Sequence, residues 1–204
     1  MRTTIGIKIG FAFFVLLLLF GIVGTNIYYN VNEGMLTLDK IKEEAQKQIK
    51  IGNLRFEVTQ IVMASNDYSI TNKEHYKHEY EKNNVLLEQY YHDFINSELT
   101  YKEKQLTYEI KKDIDSIRSY SERIFRIANP RQSSKAWALM EKMDYTFGSS
   151  VNARTTQIFD GVTKRIEENR KHANIIQVNI TTIVFRAIII SFNFSLIIIF
   201  FSIF

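Results

Sequence analysis

The hydrophobic positions of this chain follow two patterns. At both ends they form long runs. From Ile9 to Ile27 there are 19 residues without a charge, among them Phe13-Phe14-Val15-Leu16-Leu17-Leu18-Leu19-Phe20. From Ala187 to Phe204 there are 18, rich in Ile and Phe. A bilayer core takes roughly 20 apolar residues as a helix. The shorter run, at ~1.5 Å per residue, still spans about 27 Å. Between the runs, apolar positions recur every three or four residues, the spacing of amphipathic helices. No segment sustains the two-residue alternation of a half-buried strand.

The end runs predict two transmembrane helices, over 9–29 and within 175–204. Tyr28 and Tyr29 follow the first run, where an aromatic belt meets the headgroups. Arg2 and Lys8 precede it, so the positive-inside rule puts residues 1–8 in the cytoplasm. A cleaved signal peptide would have a shorter apolar run and a small-residue cleavage site. Gly24-Thr25-Asn26 is a poor one, and an uncleaved helix is expected. The second segment is less uniform. Gln177, Asn179, Thr181 and Thr182 dilute Ile175 to Phe185, and Arg186 follows. Arg186 has two readings: an interfacial side chain that snorkels, or a buried charge paired with a partner helix. The first is expected, which makes Lys8, Tyr28, Tyr29 and Arg186 the membrane-interface residues. No basic stop-transfer cluster follows the second run, so the polypeptide is expected to continue beyond it.

Residues 30–174 are expected to form a domain outside the membrane. Breaks fall near Asn72, at Asn96-Ser97-Glu98 and at Asn129-Pro130-Arg131, where Pro cannot continue a helix. They leave four segments. The first carries a heptad seam, Ala45, Ile49, Gly52, Phe56, Thr59, Met63, Asn66 and Ile70, expected to pack closely against another helix, with Leu54, Val58, Ile61 and Val62 widening the stripe so that it meets more than one neighbour. The second offers Tyr76, Tyr80, Asn83, Leu87, Tyr90 and Phe94. The third offers Leu106, Ile110, Ile114, Ile117, Ser121, Ile124 and Ala128. The fourth offers Ala136, Met140, Met143, Phe147, Val151, Ile158, Val162 and Ile166. Helix starts are marked by Thr71 or Asn72, by Ser97 or Thr100 with Glu103 at capping-box distance from Thr100, and by Ser133 or Ser134. No breaker but Gly34 separates the first apolar run from the first segment, and none separates Ile166 from Ile180. The fold class predicted is therefore all-α: an antiparallel up-down four-helix bundle continuous with two transmembrane helices.

Charge changes one inference. The chain has a net charge of +4 and a pI of 9.1, which suggests nucleic acid. All 22 acidic residues, however, lie between Glu33 and Glu168. Removing Arg2, Lys8 and Arg186 from 26 basic residues leaves 23 against 22 acids in the middle, about +1. Signs alternate there, with no basic face to neutralise phosphates, so nucleic-acid binding is not expected. With no cysteine, disulfides, thiolate zinc sites and cysteine nucleophiles are excluded.

Candidate chemistry is sparse. Phosphate-binding, serine-nucleophile and dinucleotide motifs are missing, so no enzyme activity and no cofactor are expected. His78-Glu79 opens like a zinc-protease motif, but Lys82 stands where the second His belongs. His75, His78 and Glu79 share a helix face without further obvious ligands; a solvated helix start is the reading adopted. His92 and His172 read as surface residues. Arg154 lies between Val151 and Ile158 on or beside the apolar stripe of the fourth segment. It either binds a carboxylate ligand bidentately or pairs with an acid on another helix. Arg55, beside Phe56, has the same two readings. The tyrosines of the second segment read as core that can also line a pocket.

The layout resembles the N-terminal sensory region of bacterial methyl-accepting chemotaxis proteins with a four-helix-bundle ligand-binding domain. The resemblance lies in Ile7-Lys8-Ile9-Gly10-Phe11 before an apolar run, in Phe56-Glu57-Val58 leading to Asp67-Tyr68-Ser69-Ile70-Thr71, and in Asn129-Pro130 before Ala136–Met143. It covers nearly the whole chain but rests on pattern, without a signature motif. It implies sensory input and transmembrane signalling in chemotaxis, a multi-pass protein of the bacterial inner membrane with the bundle outside, and a homodimer whose small-molecule or protein ligand sits between facing helices. It also implies a HAMP linker and a signalling coiled coil, which these residues do not contain. Histidine kinases and diguanylate cyclases carry similar sensor bundles, and a structural membrane adaptor is a further alternative.

Overall fold

The computed structural model describes residues 5–203, and within them the side chains of 6, 7 and 10–198. The described residues are helical throughout apart from short connections, with no strand. Helix α1 runs Ile5–Thr71, α2 His75–Ile95, α3 Tyr101–Phe125, α4 Ser134–Lys142 and α5 Ser149–Ile203. A 3-10 turn, Pro130–Gln132, precedes α4, and a π-helical stretch, Met143–Gly148, joins α4 to α5.

The breaks fall where the sequence puts them, and local chemistry explains each. Asn72 takes a left-handed conformation, φ 58°, which Asn tolerates better than most residues. Its amide donates to Tyr68 O, closing α1. Thr100 and Glu103 form a full capping box: the Glu103 amide donates to Thr100 Oγ1, and the Thr100 amide donates to Glu103 Oε2 at 2.8 Å. Pro130 opens the 3-10 turn, and Ser133 Oγ accepts from the Ala136 amide at the start of α4. The start of α2 differs from expectation. Glu74, with no side-chain cap, holds the N-cap position, and Thr71 and Asn72 belong to the end of α1.

The chain divides into two compact units: Glu43–Arg165, and the residues up to Lys42 together with those from Ile166. The core of the first takes Tyr80, Leu87 and Phe94 from α2, and Ile110, Ile114, Ile117 and Ile124 from α3. Ala136 comes from α4, Met143 from the π stretch, and Val151, Ile158 and Val162 from α5. The expected stripes of the second, third and fourth segments are buried at these positions, although Ala128 is exposed. Cross-helix bonds fix the register. Gln48 meets Thr163 and Asn66 meets Asp144, at 2.8 and 3.0 Å. Lys111 meets Glu88, and Arg118 meets Asn84. Ser65 Oγ donates to Ser121 Oγ at 2.7 Å in the core.

The large residues of the α1 seam are not the face that α1 buries in this chain. Ile49, Phe56, Met63 and Ile70 are 63%, 59%, 50% and 44% exposed. The buried face carries Ile51, Leu54, Val58, Ile61, Ser65 and Tyr68. Both sets follow three-four spacing, offset by two residues. A helix with two apolar stripes can turn only one towards a given core. The one that wins presents small and branched aliphatic side chains to the isoleucine-rich faces of α3 and α5.

In the second unit, α1 and α5 lie side by side. A Cβ on Gly34 would sit 3.5 Å from Ile176 Cγ2, and Glu33 Oε1 lies 3.0 Å from His172 Nε2. Both helices hold 18-residue windows of mean hydropathy 2.2 and 1.9 with 0% burial, so neither window is the core of a soluble fold. Both are long and apolar enough to cross a membrane. The polar side chains nearby bond their own backbones one turn back. Thr25 donates to Gly21 O, Asn26 to Ile22 O, Thr182 to Val178 O and Asn193 to Ile189 O, all at 2.8–2.9 Å. A helix in hydrocarbon must satisfy its donors internally in this way.

Candidate functional site

The most elaborate polar site joins three helices of the Glu43–Arg165 unit. The Thr100 capping box fixes Glu103 at the start of α3, where it is buried. Arg165 on α5 is three residues beyond Val162, beside the buried face of that helix. Its guanidinium donates to Glu44 on α1 through two bonds, Nε to Oε1 at 3.0 Å and Nη2 to Oε2 at 2.9 Å. The same Nη2 donates to Glu103 Oε1. Lys47, one turn beyond Glu44 and itself buried, donates to Glu44 Oε1 at 3.2 Å and lies 3.9 Å from Glu103 Oε2. Two cations thus balance two anions.

The electrostatics follow from that packing. Burial pushes the Glu103 carboxyl up, but the Thr100 amide, Arg165 and Lys47 together outweigh it and hold it below the usual carboxylate range. The bonds to Glu44 and Glu103 outweigh burial at Arg165 and raise its already high value. The planar fork of Arg makes two parallel bonds that Lys cannot. The cluster therefore ties α1, the start of α3 and α5 in one defined register. Sequence reasoning found Glu103 only as a cap. The signal it missed was an Arg one turn from the buried stripe of α5, with acids available on two other helices.

A second polar site is an exception to that balance. Glu57 is buried on α1, and among the described residues its Oε2 has no hydrogen-bond partner. Burial pushes its carboxyl up, offset in part by Lys82 on α2. A third lies beside the π stretch, where Ser121 Oγ contacts Met143 Sδ at 3.4 Å and the Tyr120 and Phe147 rings pack 5.4 Å apart. Asn66, expected in the α1 seam, donates to Asp144 of that stretch.

The residues singled out from sequence are dispersed. Arg154 donates to Asp113 on α3 and to Ser150, with Glu109 at 3.9 Å. This is the ion pair with another helix. Arg55 is exposed on α1. Among the described residues, no three side chains gather that could hold a metal. His78 lies 3.7 Å from Glu81, and His75 stacks on Tyr76. His172, expected as a lone surface residue, meets Glu33. Tyr28 and Tyr29 are exposed and meet edge to face, 6.0 Å between centroids. Arg186 is exposed on α5. The Lys8 side chain lies outside the described residues. Beside the tyrosines, a groove is lined by Phe20, Val23, Gly24 and Ile27 of α1 and by Ala187 and Ser191 of α5.

No protein family, curated protein or solved structure matches this chain.

Proposed function

We propose that the chain is the sensory input and transmembrane signalling region of a bacterial chemoreceptor-like protein. In this reading an up-down four-helix bundle lies outside the inner membrane and binds a small molecule or protein. The observation that carries it is that α1 and α5 each hold a membrane-length apolar stretch and also buried positions of the Glu43–Arg165 core. The cross-helix pairs support the up-down arrangement. Partners on α5 and the π stretch fall from Thr163 to Asp144 as those on α1 rise from Gln48 to Asn66. Lys111 and Arg118 on α3 likewise meet Glu88 and Asn84 on α2.

The mechanism is a population shift. A ligand that favours one packing of the bundle displaces α5 against α1, and continuous helices carry the displacement inward. Close-packed helices switch between discrete arrangements rather than deforming continuously, so small shifts are not lost. The Arg165 cluster, which grips both helices, defines the resting register. The test joins the chain to the kinase-controlling output of a chemoreceptor and screens amino acids, organic acids and sugars for altered swimming. For each active compound, disulfide crosslinking between α1 and α5 is measured in membranes. The expected result is a ligand-dependent change in crosslinking rate. A compound that switches the output while α5 stays fixed against α1 would overturn the mechanism, and a chimera indifferent to every compound counts against sensing.

A further inference from the structure

The π stretch settles a disagreement in register between α4 and α5. On α4 and into the stretch, the buried side chains are Ala136, Leu139 and Met143, in steps of three and four. On α5 they are Val151, Thr155, Ile158 and Val162, in steps of four, three and four. Met143 and Val151 are eight residues apart. In an unbroken α-helix eight residues overshoot two turns by about 80°, and the two sets would not face one core. The stretch takes up the excess: the Ser149 amide bonds Asp144 O, five residues back instead of four.

A second stripe on α4 needs no such correction. Trp137, Met140, Asp144 and Phe147 lead to Val151 in steps of three, four, three and four. All are apolar except Asp144. Met140 and Phe147 are already half-buried, and Trp137 is 47% exposed. Asp144 is exposed and accepts from Asn66 Nδ2 at 3.0 Å. A continuous α-helix would bring this stripe into line with the buried face of α5. It would also carry the Asp144 carboxylate into the core, which is costly for a charge without a cation beside it.

We infer that Met143–Gly148 is a register switch whose position is set by Asp144. In the π form Leu139 and Met143 are buried, and Asp144 stays at the surface with Asn66. In the straight form α4 turns by about 80° against α5. Trp137, Met140 and Phe147 then take the places of Leu139 and Met143. Close-packed interiors hold such alternatives as discrete states rather than as a continuum. The switch rests on the Glu43–Arg165 unit alone and not on the sensory reading, to which it supplies a two-state element.

Trp137 is the only tryptophan, so its fluorescence reports the register in the full chain. Asp144→Leu removes the charge that opposes the straight form. Its emission should move to the blue, and acrylamide quenching should fall by about half or more as the ring enters the core. Asp144→Asn should move the same way, less far. Deleting Thr146, which is exposed, brings Met143 and Val151 to seven residues apart, about two turns, so plain α-helix then serves the Leu139–Met143 register. The deletion variant should fold, keep wild-type quenching, and keep it when Asp144→Leu is added. Circular dichroism checks folding in each case. Three outcomes would overturn the switch: Asp144 variants quenched like the wild type, a deletion variant that unfolds, or one that still responds to Asp144→Leu. None of these readouts uses an output domain, so failure here leaves the sensory reading standing.

Discussion

Arg165 and Glu44 meet side by side, guanidinium edge to carboxylate edge, with bonds of 3.0 and 2.9 Å between α5 and α1. The same guanidinium also satisfies Glu103, whose side chain is almost fully buried. Removing it leaves a buried carboxylate with Lys47, 3.9 Å away, as the remaining cation beside it among the described residues. Arg165→Ala should therefore destabilise the protein by about 2 kcal/mol, below the range for a fully buried pair because Arg165 is partly exposed. Arg165→Lys keeps the charge but loses one of two parallel bonds, and should recover about half of that. Thermal unfolding followed by circular dichroism reads both. Equal losses for Ala and Lys would show that neither the charge nor the aliphatic stem suffices and that the two-bond fork of the guanidinium supplies the whole effect.

Glu103 and Glu57 give opposite dependences on pH. Glu103 titrates lower in the folded protein than its ordinary 4.5, so its contribution is fully present above that value and is lost as pH falls through the folded value. Glu57 titrates higher, so ionising it costs stability as pH rises from 4.5 through its folded value. Glu57→Gln should match the wild type below pH 4.5 and exceed it at pH 7, by about 1 kcal/mol, the scale for a poorly satisfied buried polar group. Glu103→Gln should do the reverse, costing stability at pH 7 and little in acid. Unfolding curves at pH 7, at pH 4 and further into acid test both. A Glu57→Gln protein less stable than wild type at pH 7 would show that Lys82 outweighs burial.

Much of the helical layout was legible because it rests on local chemistry. Thr100 and Glu103 specify a capping box within four residues, and Pro130 ends a helix whatever surrounds it. The facing of α1 was not legible. Ile51-Leu54-Val58-Ile61 and Ile49-Phe56-Met63-Ile70 are both helical stripes, and which one turns inward depends on the shapes offered by α3 and α5. The π stretch at Met143–Gly148 was hidden for a related reason. It adds a residue to the turn and shifts register without altering the apolar pattern on either side. Long-range polar matches were hidden too. Glu44 and Arg165 are 121 positions apart, and nothing local in either segment names the other.

The Ser65–Ser121 bond links α1 and α3 inside the core: Ser65 donates to Ser121 Oγ, with its own Ile61 carbonyl as the alternative acceptor, and Ser121 donates to Ile117 O one turn back. Either serine alone can turn to its own helix, so the coupling between them should be small. Ser65→Ala and Ser121→Ala should each cost about 1 kcal/mol. The double mutant should cost slightly less than their sum, because the single bond between the two serines is lost once rather than twice. Chemical unfolding of the four proteins closes the cycle. A double mutant as costly as the sum would mean that each serine acts only through its own helix.

The depth of Arg186 follows from the pairing of α1 with α5. The Gly34–Ile176 approach places Arg186 level with Gly24 and residue 182 level with Tyr28. Arg186 thus stands four residues, about 6 Å, inside the tyrosine level. Side chains on a helix tilt toward its N-terminus, which on α5 is the direction of that level. Arg186 should therefore reach the headgroups by snorkelling. Lys has a stem long enough to do the same, whereas Asp does not and would hold its charge in hydrocarbon at a cost of about 2–3 kcal/mol. Arg186→Lys should integrate into membranes as well as the wild type, and Arg186→Asp several-fold less, read as the carbonate-resistant fraction. Equal integration of both variants would place Arg186 in a water-accessible position instead.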